Sequence, residues 1–194
     1  MKLAIDLNDV VRDYSRNFVK YFKKGINHAF DEDNVEFYTN DMLQLLPFSS
    51  EEQYRRFVYE DYPFELYGKC PAVEQNLPRD LNEWLEFTLP EDDVDVIFVS
   101  PMECDLTIQS TFSFLAKIGS RVREVYFPID STTVWDKCDA LITANPRFFN
   151  NKLDNKKIIK INKDYNKEND ADLAYDSLSE IINDNDFVNK LGCE

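Results

Sequence analysis

The stretch Lys2-Leu3-Ala4-Ile5-Asp6-Leu7-Asn8-Asp9-Val10 decides how this chain folds. Lys2 to Ile5 is a short, nearly continuous apolar run, the pattern of a strand buried in a parallel sheet. Polar residues then stand where such a strand ends. Val11, Tyr14, Phe18 and Phe22 follow at helical spacing, and Gly25 is a natural stop. A strand, a polar turn and a helix in that order open an α/β fold.

Working outward, Asp31-Glu32-Asp33-Asn34 reads as an acidic loop. Ser49 with Glu52, or Ser50 with Gln53, forms a capping-box pattern before a helix carrying Tyr54, Phe57 and Val58. Tyr62-Pro63 and Pro71 punctuate the chain, and another helix starts near Pro78 with Leu81, Trp84 and Leu85 on one face. Beyond Pro90 the pattern changes. Val94 to Val99 is a strong strand, followed by a helix with Ile108, Phe112, Leu115 and Ile118 that ends at Gly119. Val122 to Phe127, Ala140 to Thr143 and Lys157 to Asn162 are the next strands, and Leu173 to Ile182 reads as a closing helix. This alternation predicts a three-layer, Rossmann-like α/β fold: a parallel sheet with both faces covered, and a small helical cap inserted after the first strand–helix unit. The core is expected over 1–26 and 76–194, the cap over 27–75.

Composition narrows the function classes. The 194 residues include 22 basic and 37 acidic ones, for a net charge of −15. A field of that sign repels phosphate backbones and anionic lipid, so neither nucleic acid nor a membrane surface is an expected partner. No apolar run approaches the roughly 18–20 residues needed to span a bilayer. Met1 to Ile5 meets an acid at Asp6, where a signal peptide would continue its apolar stretch. Cys70, Cys104, Cys138 and Cys193 are scattered without a CxxC pair, which suits buried free thiols in a reducing, cytoplasmic setting. His28 is the only histidine and reads as a surface or cap residue.

In a parallel sheet, chemistry gathers at the carboxyl ends of the strands. There the chain delivers Asp6-Leu7-Asn8-Asp9-Val10, then Ser100-Pro101, then Asp130-Ser131-Thr132-Thr133, then Thr143-Ala144-Asn145-Pro146. The first of these, with its aromatic-bearing helix, resembles the opening motif of the haloacid dehalogenase superfamily, more narrowly its 5′(3′)-deoxyribonucleotidase-like branch. Val96-Ile97-Phe98-Val99-Ser100 resembles the second motif, a strand ending in Ser or Thr. Cys138 to Pro146 resembles the fourth, which in that branch runs Ala-Asp-x-Leu-Ile-Asp-Asp-x-Pro. Tyr67-Gly68-Lys69-Cys70-Pro71 falls where the branch returns from its cap.

The resemblance implies a phosphoryl-transfer site: an aspartate nucleophile, a second aspartate two residues later as acid/base, a Ser or Thr and a lysine holding phosphoryl oxygens, and fourth-motif acids around Mg²⁺. Carried over, Asp6 takes the nucleophile position and Asn8 the acid/base position, where an amide exchanges no proton at neutral pH. Ser100 fits the phosphate position. Thr133, or Ser131 with a small shift, stands where the lysine belongs, and Lys137 is out of register. Thr143 and Ala144 replace the two metal-binding aspartates, removing the hard anionic oxygens Mg²⁺ prefers. Among neighbouring acids, Asp130 is the best substitute metal ligand, while Asp139 lies about four positions before the end of its strand, at the wrong end of the sheet.

These substitutions lead to the expectation of a catalytically inactive, phosphatase-like domain without cofactor, serving as a structural or protein-interaction subunit. It would be a homo-oligomer or part of a larger assembly, such as a virion if phage-encoded. The alternatives are a divergent Mg²⁺-dependent phosphohydrolase acting through Asp6, and a ligand sensor that keeps the pocket without turnover. The aromatic segments Phe37-Tyr38, Tyr54 to Phe64 and Phe148-Phe149 read as core or, where exposed, as a protein interface, with a nucleobase pocket as the alternative the resemblance implies, since that branch uses its cap for bases.

Overall fold

The computed structural model describes residues 1–100, 105–122 and 124–192. Six parallel strands form one sheet: β1 (Lys2–Asp6), β2 (Asp95–Val99), β3 (Val125–Tyr126), β4 (Ala140–Thr143), β5 (Lys157–Ile161) and β6 (Leu173–Tyr175), in the order β3-β2-β1-β4-β5-β6. The helices are α1 (Tyr14–Gly25), α2 (Met42–Leu45), α3 (Glu51–Arg56), α4 (Leu77–Glu83), α5 (Asp105–Lys117), α6 (Leu178–Ile182) and α7 (Phe187–Lys190). The chain therefore has the predicted α/β, Rossmann-like architecture. No helix of the described residues is long and apolar enough to cross a membrane.

Alternation along the strands sorts the core. Leu3 and Ile5 of β1, Phe98 of β2 and Ile142 of β4 face one side, where they meet Leu81, Trp84, Phe114, Leu178 and Phe187 from the helices. Ala4, Ile97, Val99 and Leu141 face the other side and meet Val134, Trp135, Cys138 and Phe148. The second face is covered by short 3₁₀ turns (Thr133–Asp136, Pro146–Asn151) rather than by long helices. A third cluster joins α1 to the segment after it: Phe18 and Phe22 pack on Met42, Phe57, Leu66 and Tyr67.

Local chemistry starts the elements. Ser50 caps α3 by accepting from the Gln53 amide at 3.1 Å, and the Gln53 side chain reaches back to the Ser49 amide at 2.8 Å. Three expectations change. Leu173 to Ile182 is not one helix, because Leu173–Tyr175 pairs with β5 as the edge strand β6. Ser177 then caps a separate α6, accepting from the Glu180 amide at 3.2 Å. Among the described residues of the Val122–Phe127 run, only Val125–Tyr126 is strand. On α5 the buried face is Thr107, Ser110, Thr111, Phe114 and Leu115, and Phe112 is exposed. Pro101, which follows the second motif, and Cys104 and Cys193 of the four cysteines lie outside the described residues. Cys70 and Cys138 are buried free thiols, each pushed up to about 12 by burial. His28 is on the surface.

Candidate active site

The register of β1 between β2 and β4 brings the first, second and fourth motif positions together. Ile5 pairs with Ile142 and Asp6 with Val99, so Asp6, Ser100 and Thr143 emerge side by side at the carboxyl edge. All three are fully buried. Thr143 Oγ1 donates to Asp6 Oδ2 at 2.8 Å and the Asn8 amide donates to Asp6 Oδ1 at 3.2 Å. Burial pushes the Asp6 carboxyl up to about 7, against the opposing pull of these two bonds and of the Arg12 charge.

The chain leaves β1 through a tight turn. The amides of Val11 and Arg12 both donate to the Leu7 carbonyl, and Asp9 adopts a left-handed conformation with φ 59°. That turn aims Arg12 inward, where the whole residue is buried. Its Nε donates to Asn8 Oδ1 at 2.6 Å, one terminal nitrogen to Ser100 Oγ at 2.8 Å, and the other to Thr111 Oγ1 at 3.0 Å and the Tyr67 carbonyl at 3.4 Å. The guanidinium also lies 5.0 Å from the centre of the Tyr67 ring. Among the described residues no carboxylate is hydrogen-bonded to it, and burial draws its pKa below the ordinary value. The acid/base and phosphate positions of the motif reading are thus joined through one arginine. The polar face of α5 is explained at the same time, since Thr111 is one of its acceptors.

Beside them, Asp9 is engaged three times. Oδ1 accepts from the Ser15 amide at 2.8 Å, and Oδ2 accepts from Ser15 Oγ and from the Tyr165 hydroxyl, the latter at 3.0 Å. A crevice of about 90 Å³ beside Asn8 and Asp9 is lined also by Tyr14, Asn40 and Asn145. Asn40 Nδ2 donates to Asn145 Oδ1 at 2.9 Å, tying the segment after α1 to the loop after β4.

The other motif positions stay apart. Asp130 is exposed and accepts from the Thr132 amide at 3.0 Å, and the Thr133 hydroxyl donates to the Asp130 carbonyl at 2.8 Å. Both are thereby held within their own loop, and neither is hydrogen-bonded to Asp6. Lys137 sits over the Tyr126 ring at 5.8 Å. Asp139 accepts from the Lys2 amide at 2.9 Å, at the amino end of β1, as its position in the strand predicts. Among the described residues no three side chains of His, Cys, Asp or Glu form a group able to hold a metal ion. Arg12, Thr111 and Tyr165 were not singled out in the sequence; the one available signal was the four-residue spacing of Arg12 from Asn8.

Two solved structures share this arrangement of strands and helices. One is a dehalogenase crystallised as an intermediate complex, with a TM-score of 0.57 and 10% identity over 93% of this chain and 94% of that one. The other is described as a haloacid dehalogenase-like hydrolase from Burkholderia xenovorans, with a TM-score of 0.56 and 9% identity over 94% and 95%. No protein-family model matches the sequence, and no curated protein does. The chain therefore has the fold of haloacid dehalogenase-like hydrolases over nearly its whole described length.

Proposed function

We propose that this protein uses the haloacid dehalogenase-like fold without hydrolysing phosphate esters, and acts through protein contacts as a subunit of an assembly. The observation that carries this reading is Arg12. In the resembled branch the position that Asn8 takes here carries the acid/base, and the position of Ser100 holds a phosphoryl oxygen. In this chain a guanidinium bridges them, with donors directed at Asn8, Ser100, Thr111 and the Tyr67 carbonyl. A phosphate ester would have to displace those bonds to be neutralised. Asp6, buried and titrating near 7, is substantially protonated at neutral pH and a poor nucleophile. Asn8 supplies no exchangeable proton.

The interaction half of the reading is supported by apolar side chains left on the surface. Phe112 is 49% exposed with its ring 6.0 Å from that of Phe127, and Ile129 is 87% exposed. Exposed large apolar groups of this kind are candidate contact surfaces.

The test has two arms. With Mg²⁺ present, the protein is expected to leave an aryl phosphate and a panel of nucleoside monophosphates intact. Turnover that disappears in Asp6→Asn would instead establish the phosphohydrolase reading. In the second arm, sedimentation and affinity capture are expected to show self-association or a specific partner, weakened by Phe112→Ser with Ile129→Ser. A chain that stays monomeric at high concentration and retrieves nothing removes the assembly reading.

A further inference from the structure

A second cavity, of about 300 Å³, lies at the carboxyl ends of β5 and β6. The Tyr165–Asp9 hydrogen bond stands between it and the crevice beside Asn8, since both residues line both spaces. Val10, Val73, Ile161 and Leu178 give it an apolar bed, as small-molecule sites generally have.

Seven charged side chains also line it, and four are already bound within the chain. Asp9 is held by Ser15 and Tyr165, Glu74 by Ser179 at 2.7 Å, Asp164 by Lys167 at 2.7 Å, and Asp176 by Asn162 at 2.8 Å. Arg16, Lys163 and Asp13 remain. They sense one another electrostatically but form no salt bridge among the described residues. Asp13 occupies the N-cap position of α1 and yet makes no capping bond, because Asp9 takes the Ser15 amide that an N-cap would accept. Burial raises the pKa of its half-buried carboxyl despite the two nearby cations.

We propose that this cavity binds a free α-amino acid with a large apolar side chain. Its carboxylate meets Arg16 and Lys163, its ammonium meets Asp13, and its side chain lies on the apolar bed. A simple anion such as phosphate would face Asp13, and a simple amine would face two cations. A ligand carrying both signs a short distance apart complements all three groups. The site is separate from Asp6 and independent of whether Asp6 reacts.

Calorimetric titration of the full chain with L-phenylalanine and L-leucine tests the proposal, with N-acetyl-L-phenylalanine and L-phenylalaninamide as charge-blocked probes. The free amino acids are expected to give saturable heat, and each blocked form to bind at least about tenfold more weakly. Asp13→Asn is expected to narrow the gap between phenylalanine and its N-acetyl form, and Arg16→Gln with Lys163→Gln the gap to its amide. Thermal melts of each variant check folding; if a variant is unfolded, the comparison of blocked and free probes on the parent chain decides alone. Absence of saturable heat at millimolar amino acid, or equal binding of blocked and free forms, overturns the proposal.

Discussion

Arg12 and Asp6 are a base and an acid buried in one neighbourhood, without a salt bridge between them and with neutral groups as their hydrogen-bond partners. Their energetics follow from desolvation. Asp6 keeps its proton in the folded state up to about pH 7, whereas its ordinary value is 3.8. Between those values the folded state binds more protons than the unfolded one, so stability falls as pH rises through this window and the loss is complete above it. The size of the effect is up to about 4 kcal/mol. Asp6→Asn removes the titration while its amide oxygen can still accept from Thr143 Oγ1. Its unfolding midpoint is therefore expected to exceed that of the parent at pH 8 and to approach it at pH 4, as thermal melts across pH can establish. Arg12→Ala leaves a void and strips Asn8, Ser100 and Thr111 of their donor. Urea unfolding is expected to register a loss of about 3 kcal/mol. Arg12→Lys should recover little, because one ammonium cannot span four acceptors fixed for a planar fork.

Among the elements, the helices were easier to anticipate than the edges of the sheet. α1 and the start of α3 follow from apolar spacing and capping residues, which are local properties. The run from Leu173 to Ile182 misleads because Leu173 and Tyr175 suit a helix face as well as a strand edge, and only the neighbouring β5 decides between them. α5 misleads in a related way: its most apolar stripe includes Phe112, yet Thr107, Ser110 and Thr111 turn inward, and Thr111 meets Arg12. The packing of α5 on the π-helical turn Phe64–Gly68 depends on a missing side chain. A Cβ at Gly68 would stand 2.6 Å from the Phe64 ring and 3.2 Å from the Ser110 carbonyl. Gly68→Ala is expected to cost about 1–3 kcal/mol in chemical unfolding, with increased amide exchange along α5. Ser177→Ala, which removes the cap of α6, is expected to cost about 1 kcal/mol by the same measurement.

At the scale of the whole molecule, a net charge of −15 on 194 residues makes self-repulsion a general destabilising force. Raising NaCl from about 0.01 M to about 0.1 M shortens the screening length from about 30 Å to about 10 Å. The melting midpoint should rise by about 2–4 °C for each kcal/mol of repulsion relieved. A fall in the midpoint would mean that attractive ion pairs outweigh the repulsion. The sequence by itself determined the parallel α/β architecture and the order of its first five strands along the chain, because apolar periodicity and turn residues act over a few positions. It also named Asp6, Asn8, Ser100 and Thr143 as neighbours, since strand ends in a parallel sheet converge on one edge. Only the tertiary structure decided that Arg12 lies between Asn8 and Ser100, that Asp130 and Thr133 stay in their own loop, and that Asp13 is relieved of its cap by Asp9. Each of those outcomes depends on which groups lose water together when distant segments meet, and no local pattern records that.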